Sequence, residues 1–119
     1  MTMRLNEIQF TDAPPVDSYG PGFFRIAGDI VEGPTILDGA GAAPWGGYGD
    51  SEPLCAMAGQ VDVLFIGTGA ETAHIPAELR EALEAAGLGV EPMATPAACR
   101  TYNVLLSEGR RVAAALLPV

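Results

Sequence analysis

The second half of the chain alternates between apolar runs and amphipathic runs, and this alternation constrains the fold more than any other feature. Residues 61–66 (VDVLFI) are almost continuously apolar, as in a strand covered on both faces of a sheet. Residues 76–86 place Leu79 and Leu83 on one helical stripe. The predicted elements are strand 61–66, helix 76–86, strand 88–93, helix 96–107 and strand 110–118. Residues 61–118 therefore predict a β-α-β-α-β unit with parallel strands.

Residue types at the ends of the two helices support these boundaries. Gly87 follows the first helix and Gly109 the second, the position after a helix where glycine is favoured. Thr95 is a suitable N-cap, and Pro96 suits the first helical position. The inner stripe of the second helix is predicted to contain Ala98, Tyr102 and Leu105.

The first half of the chain predicts short strands separated by turns. Gly28-Asp29 is interpreted as a tight reversal between two short apolar runs, which makes a hairpin. The predicted elements are an edge strand at 4–10, the hairpin strands 23–27 and 30–33, a strand at 35–38, a Gly-rich loop at 39–53 and a short helix from Pro53 to Gly59. These strands must extend the C-terminal sheet or form a second small sheet on it. We predict one α/β domain with a mixed sheet over residues 1–119.

Charge and composition exclude several functions. The net charge is −9, and all six cationic side chains are Arg, so contacts to nucleic-acid phosphates or anionic lipid are disfavoured. The N-terminus lacks an uninterrupted apolar signal segment, and no run approaches the roughly 20 apolar residues of a membrane helix. Cys55, Cys99 and the single histidine, His74, make no metal signature, and reduced thiols indicate a cytoplasmic protein.

The Gly-Thr-Gly turn at 67–69 follows a buried strand, where nucleotide-binding proteins bind phosphate. The dinucleotide pattern needs a third glycine where Thr72 stands, and Pro76 delays the helix beyond the turn. A phosphate-binding loop would need a lysine, which the chain lacks. We therefore expect no nicotinamide or flavin cofactor, and we interpret the glycines as allowing a sharp turn.

The carboxyl edge of the predicted sheet is nevertheless where ligands bind in open α/β folds. Loops 67–75 and 93–96 should both emerge there. The first is predicted to offer free backbone N–H groups and the Thr68 hydroxyl, and the second a capped helix N-terminus with Arg100 one turn inside. A small anion or a partner's carboxylate could bind at this edge, whereas Arg110 and Arg111 should lie at the opposite one. The alternative is a satisfied N-cap beside a loop that binds nothing.

Other candidate side chains have plain structural interpretations. His74 is expected to be exposed, and no serine has a histidine or acid at the spacing of a hydrolase triad. Cys99 lies in the first helical turn, where the helix dipole could lower its pKa, but a packed thiol is favoured. Trp45 in its Gly-rich loop predicts either a lid over the core or an interface anchor.

Several separate motifs together resemble a family of small uncharacterised α/β proteins from bacteria, archaea and mitochondria. They are VLFIGTG with Gly67-Thr68-Gly69, then Glu91, Met93 and Thr95, then Thr101-Tyr102-Asn103, and finally Glu108-Gly109-Arg110. The family includes mitochondrial complex I (NADH dehydrogenase) assembly factor three. The resemblance implies a three-layer fold with a mixed central sheet, and neither an established enzyme activity nor a cofactor.

The resemblance also implies a function through protein partners, because the mitochondrial relative binds another assembly factor and immature complex I subunits. The hypothesis is therefore a non-enzymatic, cytoplasmic interaction module, held at the inner membrane only through a partner. Its predicted contact residues are Trp45, Gly67, Thr68, Gly69, Met93, Thr95 and Arg100. The alternative is an enzyme or small-anion binder that uses the same loop edge.

Overall fold

A computed structural model describes residues 14–119, so the edge strand predicted at 4–10 lies outside the described residues. The elements in chain order are β1 (Val16–Gly20), β2 (Phe23–Ile26), β3 (Asp29–Glu32), β4 (Thr35–Asp38), β5 (Gly41–Pro44), α1 (Glu52–Cys55), β6 (Val63–Gly67), α2 (Ala77–Ala85), β7 (Gly89–Met93), α3 (Thr95–Ser107) and β8 (Val112–Leu116). The second half of the chain therefore has the predicted β-α-β-α-β order.

The central sheet is mixed, as predicted, and contains five strands in the order β5-β4-β8-β6-β7. β6 pairs in parallel with both β7 and β8, so the crossover through α3 passes over β6. The antiparallel strands β4 and β5 extend the sheet beyond β8. Because β6, β7 and β8 run in the same direction, their carboxyl ends meet at one edge of the sheet.

Two hydrophobic clusters on opposite faces of this sheet make the predicted three layers. Alternation in β6 sends Leu64 and Ile66 to the cluster containing α1 and α2, and Phe65 to the cluster containing α3. The central strand β8 is buried throughout, and its three alanines allow close packing of both layers. The stripe of α3 is oriented as predicted, with Ala98 and Tyr102 fully buried.

The first half of the chain both extends the central sheet and forms a second sheet of its own, β1-β2-β3. The predicted hairpin is present, but its turn residues are Ala27 and Gly28, with φ of 52° and 86°. Three predictions are wrong in this half. The loop predicted at 39–53 contains strand β5, the prediction missed β1, and α1 ends at Cys55 instead of Gly59.

The three-stranded sheet packs against α3, on the same face of the central sheet as Phe65. The side-chain amide of Asn103 binds both backbone groups of Val16: it accepts from the Val16 N–H at 2.9 Å and donates to the Val16 carbonyl at 2.8 Å. Asn103 thereby ties α3 to the three-stranded sheet. A cleft lies between β1 and α3.

Candidate functional site

The turn at 67–69 and the start of α3 lie together at the carboxyl edge of the central sheet. Gly67 is paired with Met93 across the β6–β7 ladder. The Thr95 N–H donates to the Gly69 carbonyl at 2.8 Å. Arg111, in contrast, precedes β8 and binds Asp62, just before β6, at 2.7 Å. The predicted opposition of the two edges is therefore correct.

Thr95 is not the N-cap of α3, and that prediction is wrong. The helix begins at Thr95, and Ala94 holds the cap position without a side-chain hydrogen bond. The Thr95 hydroxyl instead donates to the Leu117 carbonyl at 2.6 Å and accepts from the Gly69 N–H at 2.9 Å. One buried hydroxyl thereby connects the chain after β6, the start of α3 and the chain after β8.

Part of the loop 67–75, which is predicted to offer free backbone N–H groups, uses its donors within the chain. The Thr68 N–H donates to the Met93 carbonyl at 2.9 Å, and the Gly69 N–H binds Thr95. The Thr68 hydroxyl donates to the Glu71 carbonyl at 2.7 Å and accepts from the Ala73 N–H at 3.2 Å. Since these donors are used within the chain, the turn has none of them left for an anion.

Gly67 is required by this close packing. A Cβ atom added at Gly67 would lie 2.7 Å from the Thr95 hydroxyl oxygen and 3.0 Å from a methyl carbon of Leu116. Real Cβ atoms essentially never approach another heavy atom within 3.0 Å. The absence of a side chain at Gly67 therefore permits the close contact between β6 and α3. This gives the first glycine of the Gly-Thr-Gly motif a structural role.

Trp45 covers the core, the first of its two predicted roles. Its side chain is 4% exposed and belongs to the cluster beneath α1 and α2. The indole N–H donates to the Asp50 carbonyl at 3.0 Å, and Tyr48 packs edge-on at a ring-centroid distance of 6.1 Å. A side chain held in this way is not available as an exposed anchor for a partner.

Of the seven predicted contact residues, Arg100 has the most accessible side chain. Gly67, Gly69, Thr95 and Trp45 are buried, whereas Thr68 and Met93 are half-buried. Binding by these residues stays a prediction, but their burial leaves Arg100 as the side chain with the clearest access to a partner.

Arg100 lines the cleft between β1 and α3, which has a volume of about 300 Å³. Its other lining residues are Val16, Asp17, Ser18, Tyr19, Pro96, Cys99, Asn103 and Val104. Tyr19 is 40% exposed and Val104 50% exposed, an unusual degree for large hydrophobic side chains in this protein. Sequence reasoning missed both, although Val104 falls outside the predicted inner stripe of α3 and could have been noticed there.

Cys99 is buried, Cys55 is half-buried and His74 is exposed. Burial raises the pKa of the Cys99 thiol to about 11, so the predicted packed thiol is correct and a dipole-activated one is not. Cys55 is half-buried, with its thiol 3.7 Å from the Ala82 carbonyl oxygen. His74 is exposed, as predicted, in a separate cleft with Arg80.

Within residues 14–119, no helix is both long and apolar enough to cross a membrane.

Comparisons with known proteins identify relatives along nearly the whole chain. An uncharacterized protein from Rhodobacter capsulatus is 54% identical over 117 residues, which cover 98% of this chain and 94% of the relative. The NADH dehydrogenase (ubiquinone) 1 alpha subcomplex assembly factor 3 of Danio rerio is 41% identical over 108 residues, which cover 85% of this chain and 62% of that protein. The match therefore spans less than two thirds of the length of the fish relative.

The fold is shared with solved structures. The crystal structure of an outer membrane protein from Bartonella henselae matches with a TM-score of 0.82 and 38% identity, covering 91% of this chain and 97% of that one. A family profile described as a protein of unknown function (DUF498/DUF598) matches residues 16–117. The chain therefore belongs to the DUF498/DUF598 family, which also relates it to the complex I assembly factors.

Proposed function

We propose that this protein is a non-enzymatic interaction module that helps to assemble a membrane respiratory complex by binding immature subunits. The observation that carries the proposal is the 41% identity to a complex I assembly factor. The carboxyl edge supports it indirectly, because the backbone N–H groups of Thr68 and Gly69 are bound within the chain. A protein partner needs an accessible surface instead of a closed polar pocket.

The contact surface that we propose is the cleft between β1 and α3. Tyr19 and Val104 provide exposed apolar area, and Arg100 provides a cation that can bind a carboxylate of the partner. This replaces Trp45 and the buried glycines as the proposed contact, while Arg100 is kept from the sequence prediction. Thr68, Met93 and Thr95 are assigned to shaping the neighbouring edge.

Affinity capture from a native extract of membranes and cytosol tests this proposal. The wild-type chain should co-purify identified subunits of complex I or of another membrane complex. Tyr19→Ala combined with Val104→Glu should reduce their recovery at least tenfold, and Arg100→Glu should reduce it less. Arg110→Glu is the matched control, because it makes the same charge change at the opposite edge of the sheet.

Two results would contradict the proposal. The double variant could retain the wild-type far-UV circular dichroism and still recover the same subunits, which would exclude the cleft. Alternatively, a specific metabolite could raise the melting temperature while no subunit is captured, which would favour the small-ligand alternative.

We also propose that the protein works in the cytoplasm and reaches the inner membrane only through its partner. The relatives give no single location, since one is a complex I assembly factor and another is described as an outer membrane protein. Fractionation tests the proposal: the native chain should leave inner-membrane vesicles when the partner is deleted. Recovery in the outer membrane would contradict it.

A further inference from the structure

The three-stranded sheet has one buried face and one outer face. Phe24 and Ile26 are 0% and 3% exposed against α3, so alternation along the strand directs Phe23 and Arg25 to the other side. On β3, Ile30 and Glu32 share that outer side. Ile30 is 49% exposed there, and Phe23, Ile30 and Glu32 line one shallow depression.

The strand register places these four side chains at the corners of a rectangle, about 4.8 Å across the strands and about 6.8 Å along them. Phe23 is paired with Glu32, and Arg25 with Ile30. The two apolar residues therefore lie on one diagonal, and the two charged residues lie on the other. Within residues 14–119, neither Arg25 nor Glu32 forms an ion pair, and the Arg25 guanidinium has only a long contact of 3.4 Å with the Gly28 carbonyl.

This arrangement is complementary to itself under a two-fold rotation. An axis along the apolar diagonal places Phe23 on Phe23 and Ile30 on Ile30 of the second copy. The same rotation exchanges the charged corners, so that Arg25 of each copy faces Glu32 of the other. Because the diagonal lies about 35° from the strands, the strands of the two sheets then cross at about 70°, between the aligned and the orthogonal packing of sheets. We propose that the outer face of the three-stranded sheet binds the same face of a second copy of this chain.

The charge pattern favours a second copy over a partner of uniform charge. A basic partner would bring a like charge against Arg25, and an acidic one would do so against Glu32. A second copy places an opposite charge against both Arg25 and Glu32, and it covers the exposed Ile30. The face spans roughly 10 Å by 15 Å, well below the about 800 Å² per partner of a stable interface, so the association is weak. The cleft that carries the proposed function lies on the other side of this sheet, so the two proposals fail separately.

Sedimentation equilibrium of the full chain, up to about 1 mM, measures the association because weak dimers populate at that concentration. Arg25→Glu leaves two acids on the face, and Glu32→Arg leaves two bases, so each variant alone should associate at least tenfold more weakly. An equimolar mixture of the two should recover the wild-type association, since acidic and basic faces are then complementary. Ile30→Ser should also weaken association, with the equally exposed Val104→Ser as control.

Each charge substitution also changes the overall repulsion between copies, because the net charge of the protein is −9. This effect needs its own controls. Arg110→Glu and Glu81→Arg make the same charge changes away from this face, and both should associate like the wild type. A wild-type chain that stays monomeric at all concentrations overturns the proposal. So does a mixture that associates no better than its components. Loss of captured membrane subunits by Ile30→Ser, when the wild-type chain stays monomeric, would assign the face to a different protein.

Discussion

The carboxyl edge of the central sheet and the surfaces of the three-stranded sheet differ in how their polar and apolar groups are used. At the edge, the Thr95 hydroxyl and the Gly69 N–H are bound within the chain and buried. The three-stranded sheet leaves Tyr19 and Ile30 exposed on its two sides. The motif that resembles a ligand site therefore stabilises the fold, whereas residues without a motif form the surfaces that we propose for binding.

The largest effect is expected for Trp45→Ala, which tests whether the Gly-rich loop belongs to the core. Because the indole is 4% exposed, its removal should lower the free energy of unfolding by about 3–5 kcal/mol. Urea denaturation measures this change, and Val104→Ala serves as the exposed control. A loss below about 1 kcal/mol would return Trp45 to the role of interface anchor.

Thr95→Val should lower the free energy of unfolding by about 2–4 kcal/mol, because the Gly69 N–H and the Leu117 carbonyl lose their partner. Thr101→Val is the control on the same helix, since Thr101 is half-buried and its hydroxyl forms no such bond to residues 14–119. Equal stability of the two variants would show that the edge is not closed by this hydroxyl.

Gly67→Ala introduces the Cβ that would lie 2.7 Å from the Thr95 hydroxyl oxygen, so it should cost about 1–3 kcal/mol of unfolding free energy. Gly49→Ala is the matched control, since a Cβ there meets nothing within 4 Å. If both substitutions are neutral in thermal unfolding, the tight contact between β6 and α3 is contradicted.

Asn103→Ala tests how the three-stranded sheet is held. Both backbone groups of Val16 lose their partner, but water can reach this half-buried site, so the expected loss is about 1 kcal/mol. Hydrogen exchange should accelerate at the Val16 amide and leave the Leu64 amide of the central sheet unchanged. Acceleration throughout both sheets would mean that they unfold together.

The last prediction concerns alkaline pH. Burial raises the pKa of Cys99 from 9.0 to about 11, so the folded chain keeps a proton that the unfolded chain releases. This contribution to stability is complete below pH 9 and is lost as the pH rises towards 11. The unfolding free energy of wild type should therefore fall more steeply over this interval than that of Cys99→Ala. Parallel curves would contradict a buried thiol.

Local patterns were sufficient to predict the β-α-β-α-β half and the C-terminal end of α3. In that half, apolar periodicity reports burial directly, and glycines mark the helix ends. β5 was missed for a physical reason: Gly41–Pro44 has no apolar alternation, and it becomes a strand only by pairing with β4. The extended conformation of β5 depends on pairing with β4, and the residues of β5 alone do not indicate that pairing.

For the candidate site, the sequence alone determined that the loops after β6 and β7 share an edge, because parallel strands place their carboxyl ends together. Only the tertiary structure decided what Thr95 does there. As an N-cap its hydroxyl would bind its own helix, but packing of β8 beside β6 brings the Leu117 carbonyl within 2.6 Å. A hydroxyl binds whichever backbone groups the fold presents to it, and those groups lie 22 and 26 residues away in the chain.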